Sequence, residues 1–396
     1  MSVYRPMNLG GIMKKNKLLT GLMIGVLATV TVFAGGCNGG NGSSEPTSQG
    51  YIDLTPRTSE VASSSEEIAE EPEDTTPPPN SYRSELTNEW IGESLRDQRP
   101  VAVMVDNELT ALDHYGINQA DIVYELMNST ANGRVTRLMC VVKDWKNLQQ
   151  FGSIRSTRPT NILLAAEYNA ILVHDGGPFY INDYIAKPYC NNLSGGFARF
   201  ANGKATEFTE YVTSDTYTGP KGTFKGLKER IKDAGYSETY NSYYKGEHFL
   251  FAAKENKLTE LVSVADAKDL ILPHPHNKSE LHYNEKTKKY EYKEYGKAHI
   301  DPLDGNKVLA FDNVILQKAG YLTYDANGYM IYDVVSSGEG LYITRGKATN
   351  IKWTKSGETD ITKFVITETG EEVQLNTGKT YISLIPNDVW GDLSIK

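Results

Sequence analysis

The chain has 396 residues, and its 41 Lys and Arg against 50 Asp and Glu give a formal charge of −9 at pH 7. That length accommodates two ordinary domains, and the acidic balance excludes a protein that binds nucleic acid through a bulk excess of positive charge. Three cysteines are too few for a fold built on disulfide bonds.

The amino terminus has the order of a secretory signal. Basic residues at 14–17 precede an uncharged apolar run at 18–33, and small residues then lead to Cys37. This pattern predicts a bacterial lipoprotein signal peptide at residues 1–36, with the chain lipidated on Cys37. The alternatives are plain secretion and an uncleaved anchor, although the run is shorter than the roughly 20 residues that span a bilayer.

A lipidated Cys37 makes the membrane the first expected partner and places the chain on the extracytoplasmic face of the cell membrane. Residues 37–83 are rich in Ser, Thr, Glu, Pro and Gly. Such a composition cannot bury enough apolar surface to fold, so we expect a disordered acidic linker.

Residues 84–245 are predicted to form an α/β amino-terminal domain. Short β-branched and apolar runs bounded by turn residues predict strands at 101–105, 120–127, 134–142 and 169–174. Pro159 suits the first turn of a helix that extends to Tyr168, and a second helix is predicted at 222–234.

Residues 246–280 are predicted to connect this domain to a second one. Residues 281–388 are rich in Tyr and Thr, and turn signals recur at short intervals. The expected fold is therefore α+β, with a mixed α/β amino-terminal domain followed by a mostly β carboxy-terminal domain.

Several segments, in order, resemble the YerB-like family of bacterial lipoproteins. They are RPVAVMVDN (99–107), VTRLMCV (135–141), GSIRSTRP (152–159), EYNAILVHDGG (167–177) and YEYKEYGKAHIDPLDGNKVLAFDNVILQ (290–317). The resemblance covers roughly residues 84–386. It implies a lipid-anchored protein of two domains, and it leaves function open because the family has no established activity.

The strongest candidate site in the sequence is a pair of arginines, Arg155 and Arg158, directly before the predicted helix. A helix start favours anions, and two guanidinium groups add bidentate capacity for phosphate or carboxylate. The alternative is that the two arginines pair with acids such as Asp106, Glu125 or Asp175 and stabilise the domain.

A second candidate follows the predicted strand at 169–174, which ends in a short turn: His174, Asp175, Gly176 and Gly177. Ligands collect beyond the carboxyl ends of strands in open α/β sheets, where His174 and Asp175 could move protons and the glycines admit a ligand. Asp106 and Asn107 end another strand and are expected to converge there. The alternative is a tight turn with a hydrogen-bonded histidine.

Other polar residues are interpreted as structural. Glu125 and Arg137 lie within predicted strands and are expected to pair with each other. Cys140 is expected to be a buried thiol, with a disulfide to Cys190 as the alternative. No metal is expected, because His274 and His276 lie in the connecting segment with a proline between them, and no cofactor motif is present.

Two functions follow from these observations. The first is a binding or scaffold module of the cell envelope that recognises an anionic ligand or a protein partner, and the absence of a hydrolase motif favours it over an enzyme. The alternative is an enzyme acting on phosphate-linked or glycan envelope material, with the arginines holding the anion.

Overall fold

The structure, a computed structural model, describes residues 76–396. The predicted signal peptide, Cys37 and most of the predicted linker lie outside these residues. Within the described part, no helix has the length and apolar character needed to cross a membrane.

Strands from both halves of the chain form one eleven-stranded sheet. In chain order its strands are β1 (Val101–Asp106), β2 (Ile122–Met127), β3 (Thr136–Val142), β4 (Ile171–His174), β5 (Asn192–Ser194), β6 (Val264–Asp266), β7 (Asn313–Ala319), β8 (Ser337–Thr344), β9 (Lys347–Thr354), β10 (Lys363–Ile366) and β11 (Thr380–Pro386). The order across the sheet is β6-β9-β8-β7-β11-β2-β3-β1-β4-β5, and β10 also pairs with β9. The two halves meet where β2 and β11 run parallel.

The central strands read as continuous apolar runs because both of their faces are covered. Every residue of β1 and β2 is buried. The four strands predicted in the first half are present, and the second half consists mostly of antiparallel strands. The expected fold class is therefore confirmed.

Three helices are present in the described residues: α1 (Pro159–Glu167), α2 (Asn182–Ile185) and α3 (Leu227–Asp233). Helix α1 packs with Met104 and Leu126 on one face of the large sheet. Helix α3 starts later than predicted because residues 222–224 pair with residues 217–219 as a strand.

A six-stranded sheet packs on the opposite face. Its strands are Asp269–Ile271, Glu280–Asn284, Lys289–Glu294, Lys297–Ala298, Ala310–Phe311 and Ser394–Ile395. Large apolar and aromatic side chains, Tyr290 and Phe311 among them, fill the space between the two sheets.

Short strands complete the fold. They are Ser81–Arg83 with Trp90–Gly92, Phe151–Gly152 and Ala198–Arg199 with Glu210–Val212, Tyr217–Gly219 with Gly222–Phe224, Leu250–Phe251 with Gln374–Leu375, Ile300–Asp301 with Lys307–Val308, and Tyr321–Thr323 with Met330–Tyr332. The 3-10 turns are Glu93–Leu95, Leu109–Ala111, Ile117–Gln119, Asn132–Arg134, Trp145–Asn147, Phe179–Ile181, Thr206–Phe208, Pro302–Asp304 and Trp390–Asp392. The linker prediction was wrong for Ser81–Arg83, which form a strand. Cys140 and Cys190 are both free thiols.

The carboxylate of Glu125, on β2, lies fully buried between the two sheets. Uncharged donors from both halves of the chain surround it: the hydroxyls of Thr136 (2.7 Å), Ser279 (2.6 Å), Tyr292 (2.9 Å) and Tyr381, and the side-chain amide of Asn107 (3.4 Å). A buried carboxyl group is costly to the fold unless its oxygens are hydrogen-bonded, and buried donors are costly unless they have an acceptor. This carboxylate therefore fixes the second sheet and β11 against β2.

The expected pair of Glu125 with Arg137 was wrong. Glu125 lies opposite Leu138 in the antiparallel register, and Arg137 lies opposite Leu126. Because successive side chains point to opposite faces of a strand, Glu125 and Arg137 face different layers.

We predict that Glu125→Leu lowers the free energy of unfolding by about 3 kcal/mol, because it leaves several buried donors without an acceptor. Tyr381→Phe should cost at least about 1 kcal/mol less in the Glu125→Leu background than in the wild type, since its hydroxyl then has no carboxylate to bind. Urea unfolding of the four chains measures both values, and strictly additive losses would contradict the role given to Glu125.

Candidate functional site

The carboxyl ends of β1, β2 and β4 lie at one edge of the large sheet. The strands β1 and β4 are parallel, and both β1 and β2 are antiparallel to β3, which begins at this edge. Asp106 ends β1, His174 ends β4, and Arg137 is the second residue of β3. Polar side chains therefore meet where ligands bind in open α/β sheets.

Arg155 pairs with two carboxylates at this edge. Its Nε lies 3.0 Å from Oδ2 of Asp106, and its Nη2 lies 2.8 Å from Oε2 of Glu207. Burial raises the pKa of Asp106, and the positive charges of Arg155 and Arg137 oppose that rise. For Arg155, the ion pairing that the sequence offered as an alternative is present.

Arg158 is buried without such a partner. It precedes α1, is 3% exposed, and holds its guanidinium 4.0 Å from the ring centroid of Tyr329. Its Nη1 donates to the carbonyl of Thr157 at 2.8 Å, whereas its Nε has no hydrogen-bond partner. Among the described residues no carboxylate lies within ion-pair distance, and burial lowers the pKa of Arg158.

Arg137 is the third arginine of the group, and sequence reasoning missed it. It lies opposite Asp106 in the register, so both side chains face the α1 side of the sheet. Its Nη1 donates to the carbonyl and the hydroxyl of Ser156, at 2.8 and 3.3 Å. Burial first, and then repulsion from Arg158, lower the pKa of Arg137 to about 9. We call Arg137, Arg155 and Arg158 the arginine cluster.

His174 is held by its own turn. Its Nδ1 lies 2.8 Å from the carbonyl of Gly176, and its Nε2 lies 3.3 Å from the side-chain oxygen of Asn192. The ring is buried, and burial lowers its pKa. Both ring nitrogens are occupied in this arrangement, so the structure does not direct His174 toward the arginine cluster.

Asp175 belongs to a carboxyl pair with Glu210, a residue that sequence reasoning missed. Arg199 lies 3.0 Å from Glu210 and 3.8 Å from Asp175. Burial, together with a hydrogen bond and repulsion from Asp175, raises the pKa of Glu210 from 4.5 to about 7. This pair adjoins the arginine cluster, since the backbone N–H of Asp175 donates to the carbonyl of Arg155 at 3.0 Å.

The remaining predicted site residues are the two glycines of the turn after β4 and Asn107 after β1. Gly176, with φ +74°, has open space around it, and Gly177 packs closely against Ile181. Asn107 turns to the opposite face from Asp106, where its amide donates to Glu125 and, at 2.8 Å, to Thr136. Asp106 therefore contacts the cluster directly, whereas Asn107 belongs to the buried carboxylate network.

One buried group within the described residues has the composition of a metal site: His114, His299 and Glu294. These side chains form a hydrogen-bonded chain, with 3.1 Å between the two rings and 2.7 Å between His299 and Glu294. The chain ends at the carbonyl of Asp106, 2.6 Å from Nε2 of His114. His299 uses both ring nitrogens in it, so a metal would have to replace these bonds.

The histidines of the connecting segment do not come together around one point. His274 contacts Ser383 at 2.9 Å, and His276 contacts Glu108 at 3.2 Å. The expectation that the chain binds no metal stays a prediction.

Both parts of the described fold match one family. Residues 86–257 match "Protein of unknown function (DUF3048) N-terminal domain", and residues 270–382 match the corresponding C-terminal domain. The chain belongs to the DUF3048 family. The two family models match successive parts of the sequence, yet strands from both parts form one sheet.

Two further comparisons support the same relationship for this DUF3048 chain. It is 24% identical over 306 residues to a protein of Bacillus subtilis (strain 168) named "Putative lipoprotein YerB", with 77% of this chain and 86% of that protein covered. The crystal structure of YerB protein from Bacillus subtilis matches with a TM-score of 0.62 at 21% identity, covering 80% of this chain and 99% of that one. The resemblance to the YerB-like family is thus confirmed.

We predict opposite effects on stability for two members of the arginine cluster. Arg158→Met should raise the free energy of unfolding by about 1 kcal/mol, because it removes a buried charge without a carboxylate partner and keeps the packing on Tyr329. Arg155→Met should lower the free energy of unfolding by about 2 kcal/mol, because the buried carboxylate of Asp106 loses its ion pair with Arg155. Urea unfolding tests both variants, and equal losses would mean that Arg158 is structural.

Proposed function

We propose that this chain is an extracytoplasmic binding protein, anchored through Cys37, whose arginine cluster takes an oxyanion ligand. The observation that carries the proposal is the charge balance at the sheet edge. Three guanidinium groups lie close enough to repel one another, only Arg155 forms an ion pair with the buried Asp106, and the buried Arg158 has an unpartnered Nε. A buried charge without a partner is costly to the fold, so a ligand that supplies the missing acceptor accounts for it.

The donor set fits an oxyanion such as phosphate. Guanidinium groups present planar forks that match phosphate or carboxylate oxygens. Arg137 and Ser156 are partly exposed, so an anion has access from solvent, and Arg158 lies beneath them at the start of α1. The positive end of the α1 dipole adds to the attraction.

Nearby acids set the limits of this attraction. Asp106 and Glu207 neutralise part of the cluster through Arg155, and Asp325 attracts Arg158 more weakly. The excess positive charge therefore resides mainly on Arg137 and Arg158. These two residues should dominate anion binding, whereas Arg155 mainly holds the edge together.

The place of action rests on sequence and homology. The relative in Bacillus subtilis carries the name of a lipoprotein, and Cys37 follows an apolar run and small residues in this chain. Lipidation there would tether the arginine cluster to the outer surface of the cell membrane. The ligand would then be an anionic component of the cell envelope or an anionic group on an envelope protein.

The test is the thermal stability of the full chain in non-ionic detergent, titrated with inorganic phosphate. Phosphate should raise the melting temperature of the wild type in a saturable way, because a ligand that binds only the folded state stabilises it. Arg158→Gln should remove the saturable rise, whereas Arg83→Gln should keep it. Arg83 is a matched control, since it also stacks on an aromatic ring, Trp90, at 4.1 Å.

Chloride at equal ionic strength separates site binding from general screening. A phosphate effect that chloride reproduces, or one that Arg158→Gln leaves intact, would contradict the proposal. A stabilised Arg158→Gln chain that no longer responds to phosphate would support it most clearly.

The carboxyl pair favours a second candidate, an enzyme acting on phosphate-linked or glycan envelope material. A carboxyl group with a pKa of about 7, such as Glu210, suits general acid–base catalysis at neutral pH. Release of phosphate from phosphomonoesters, abolished by Glu210→Gln but retained in Glu207→Gln, would establish this activity. Binding without turnover in the same assay would favour the binding protein.

A further inference from the structure

Three large apolar side chains are exposed beside the arginine cluster. Among the described residues eight large hydrophobic side chains are strongly exposed, and three of them are Phe179 (75%), Leu322 (73%) and Tyr324 (50%). Contiguous exposed apolar surface marks interaction sites in soluble proteins. We call these three residues, together with Tyr180, the apolar rim.

Ring contacts hold the apolar rim together. The centroid of Tyr324 lies 3.8 Å from that of Tyr180 and 6.4 Å from that of Phe179. Leu322 lies in the strand Tyr321–Thr323, and Tyr324 directly follows this strand in the same hairpin, where its backbone N–H donates to the carbonyl of Tyr329 at 3.0 Å. The rim joins a 3-10 turn of the first half, Phe179–Ile181, to a hairpin of the second half.

The rim and the arginine cluster are parts of one surface. The hairpin that carries Leu322 and Tyr324 also carries Tyr329, whose ring lies 4.0 Å from the guanidinium of Arg158. The loop before Phe179 is tied to the arginine segment, because the backbone N–H of Thr157 donates to the carbonyl of Gly176 at 3.1 Å.

The boundary between the two parts contains a second unsatisfied polar group. Tyr180 is only 5% exposed, and its buried hydroxyl has no hydrogen-bond partner. The ring of Tyr180 packs on Tyr324, and the same hairpin carries Tyr329 against the guanidinium of Arg158. Buried polar atoms normally have partners, so both atoms together point to a ligand that accepts from Arg158 and contacts Tyr180.

We propose that the ligand is a lipid phosphate: a phosphate monoester whose head binds the arginine cluster and whose apolar chain lies across Phe179, Leu322 and Tyr324. This inference rests on the proposed oxyanion site. Phe179 and Leu322 carry no hydrogen-bonding group, and the rings of Phe179 and Tyr324 meet at 68° rather than forming a flat platform for a sugar ring. An apolar chain therefore fits the rim better than a glycan does.

The test is a series of soluble alkyl phosphates titrated into the full chain in non-ionic detergent by calorimetry. The probes are inorganic, methyl, butyl and hexyl phosphate, with hexanol and glucose 1-phosphate as comparisons. Hexyl phosphate should bind roughly tenfold or more tightly than methyl phosphate, because several of its methylene groups are transferred from water to the apolar rim. Hexanol should bind far more weakly than hexyl phosphate.

Two variants separate the head from the chain of the ligand. Phe179→Ser should reduce the ratio of hexyl to methyl phosphate affinity severalfold while leaving inorganic phosphate unchanged. Val262→Ser is the matched control, because Val262 is 80% exposed outside the rim, and it should leave the ratio unchanged. Arg158→Gln should weaken all phosphates together.

Each part of the account can fail by itself. Phosphate binding that depends on Arg158 but does not strengthen with chain length would overturn the lipid inference and leave the oxyanion site standing. Glucose 1-phosphate binding more tightly than hexyl phosphate would overturn it in favour of a glycan phosphate. No Arg158-dependent binding of any phosphate would overturn both.

Discussion

The buried carboxylate of Glu125 is the interaction on which the arrangement of the chain depends. It lies on β2, and its donors come from the first half, the second sheet and β11. A carboxyl group buried between two sheets is stable only when its polar atoms have hydrogen-bond partners. The two family domains therefore share one core, and the pairing of β2 with β11 is fixed by side chains as well as by backbone hydrogen bonds.

This shared core explains where the candidate site lies. Because β2 and β11 are parallel, their carboxyl ends lie at the same edge of the sheet. At this edge the strand ends of the first half lie near the second-half hairpin formed by Tyr321–Thr323 and Met330–Tyr332. The hydroxyl of Thr160 accepts from the backbone N–H of Tyr332 at 3.0 Å, which fixes that hairpin against the start of α1. Arg158 lies between this hairpin and the start of α1, and its charge has no carboxylate partner. Such an unpaired charge lowers the stability of the fold, a cost that is common at binding sites.

The sequence was informative about local structure and about two of the three arginines. Apolar runs located β1 to β4, and Pro159 located the start of α1. Strand register was not readable, and for that reason Arg137 was expected beside Glu125 instead of Asp106. The partners of Glu210, and the meeting of Phe179 with Tyr324, depend on contacts between distant segments, which neither periodicity nor composition encodes. The sequence also predicted two separate domains. It could not reveal the shared sheet, because the pairing of β2 with β11 joins residues more than 250 positions apart.

The most direct test of the oxyanion site is a crystal structure of this chain with tungstate, whose metal is located by anomalous scattering. The account predicts a tungstate within hydrogen-bond distance of the guanidinium groups of Arg137 and Arg158, with the Nε of Arg158 donating to it. Tungstate bound only elsewhere, or an Arg158 whose Nε donates to a carboxylate of the protein itself, would contradict it.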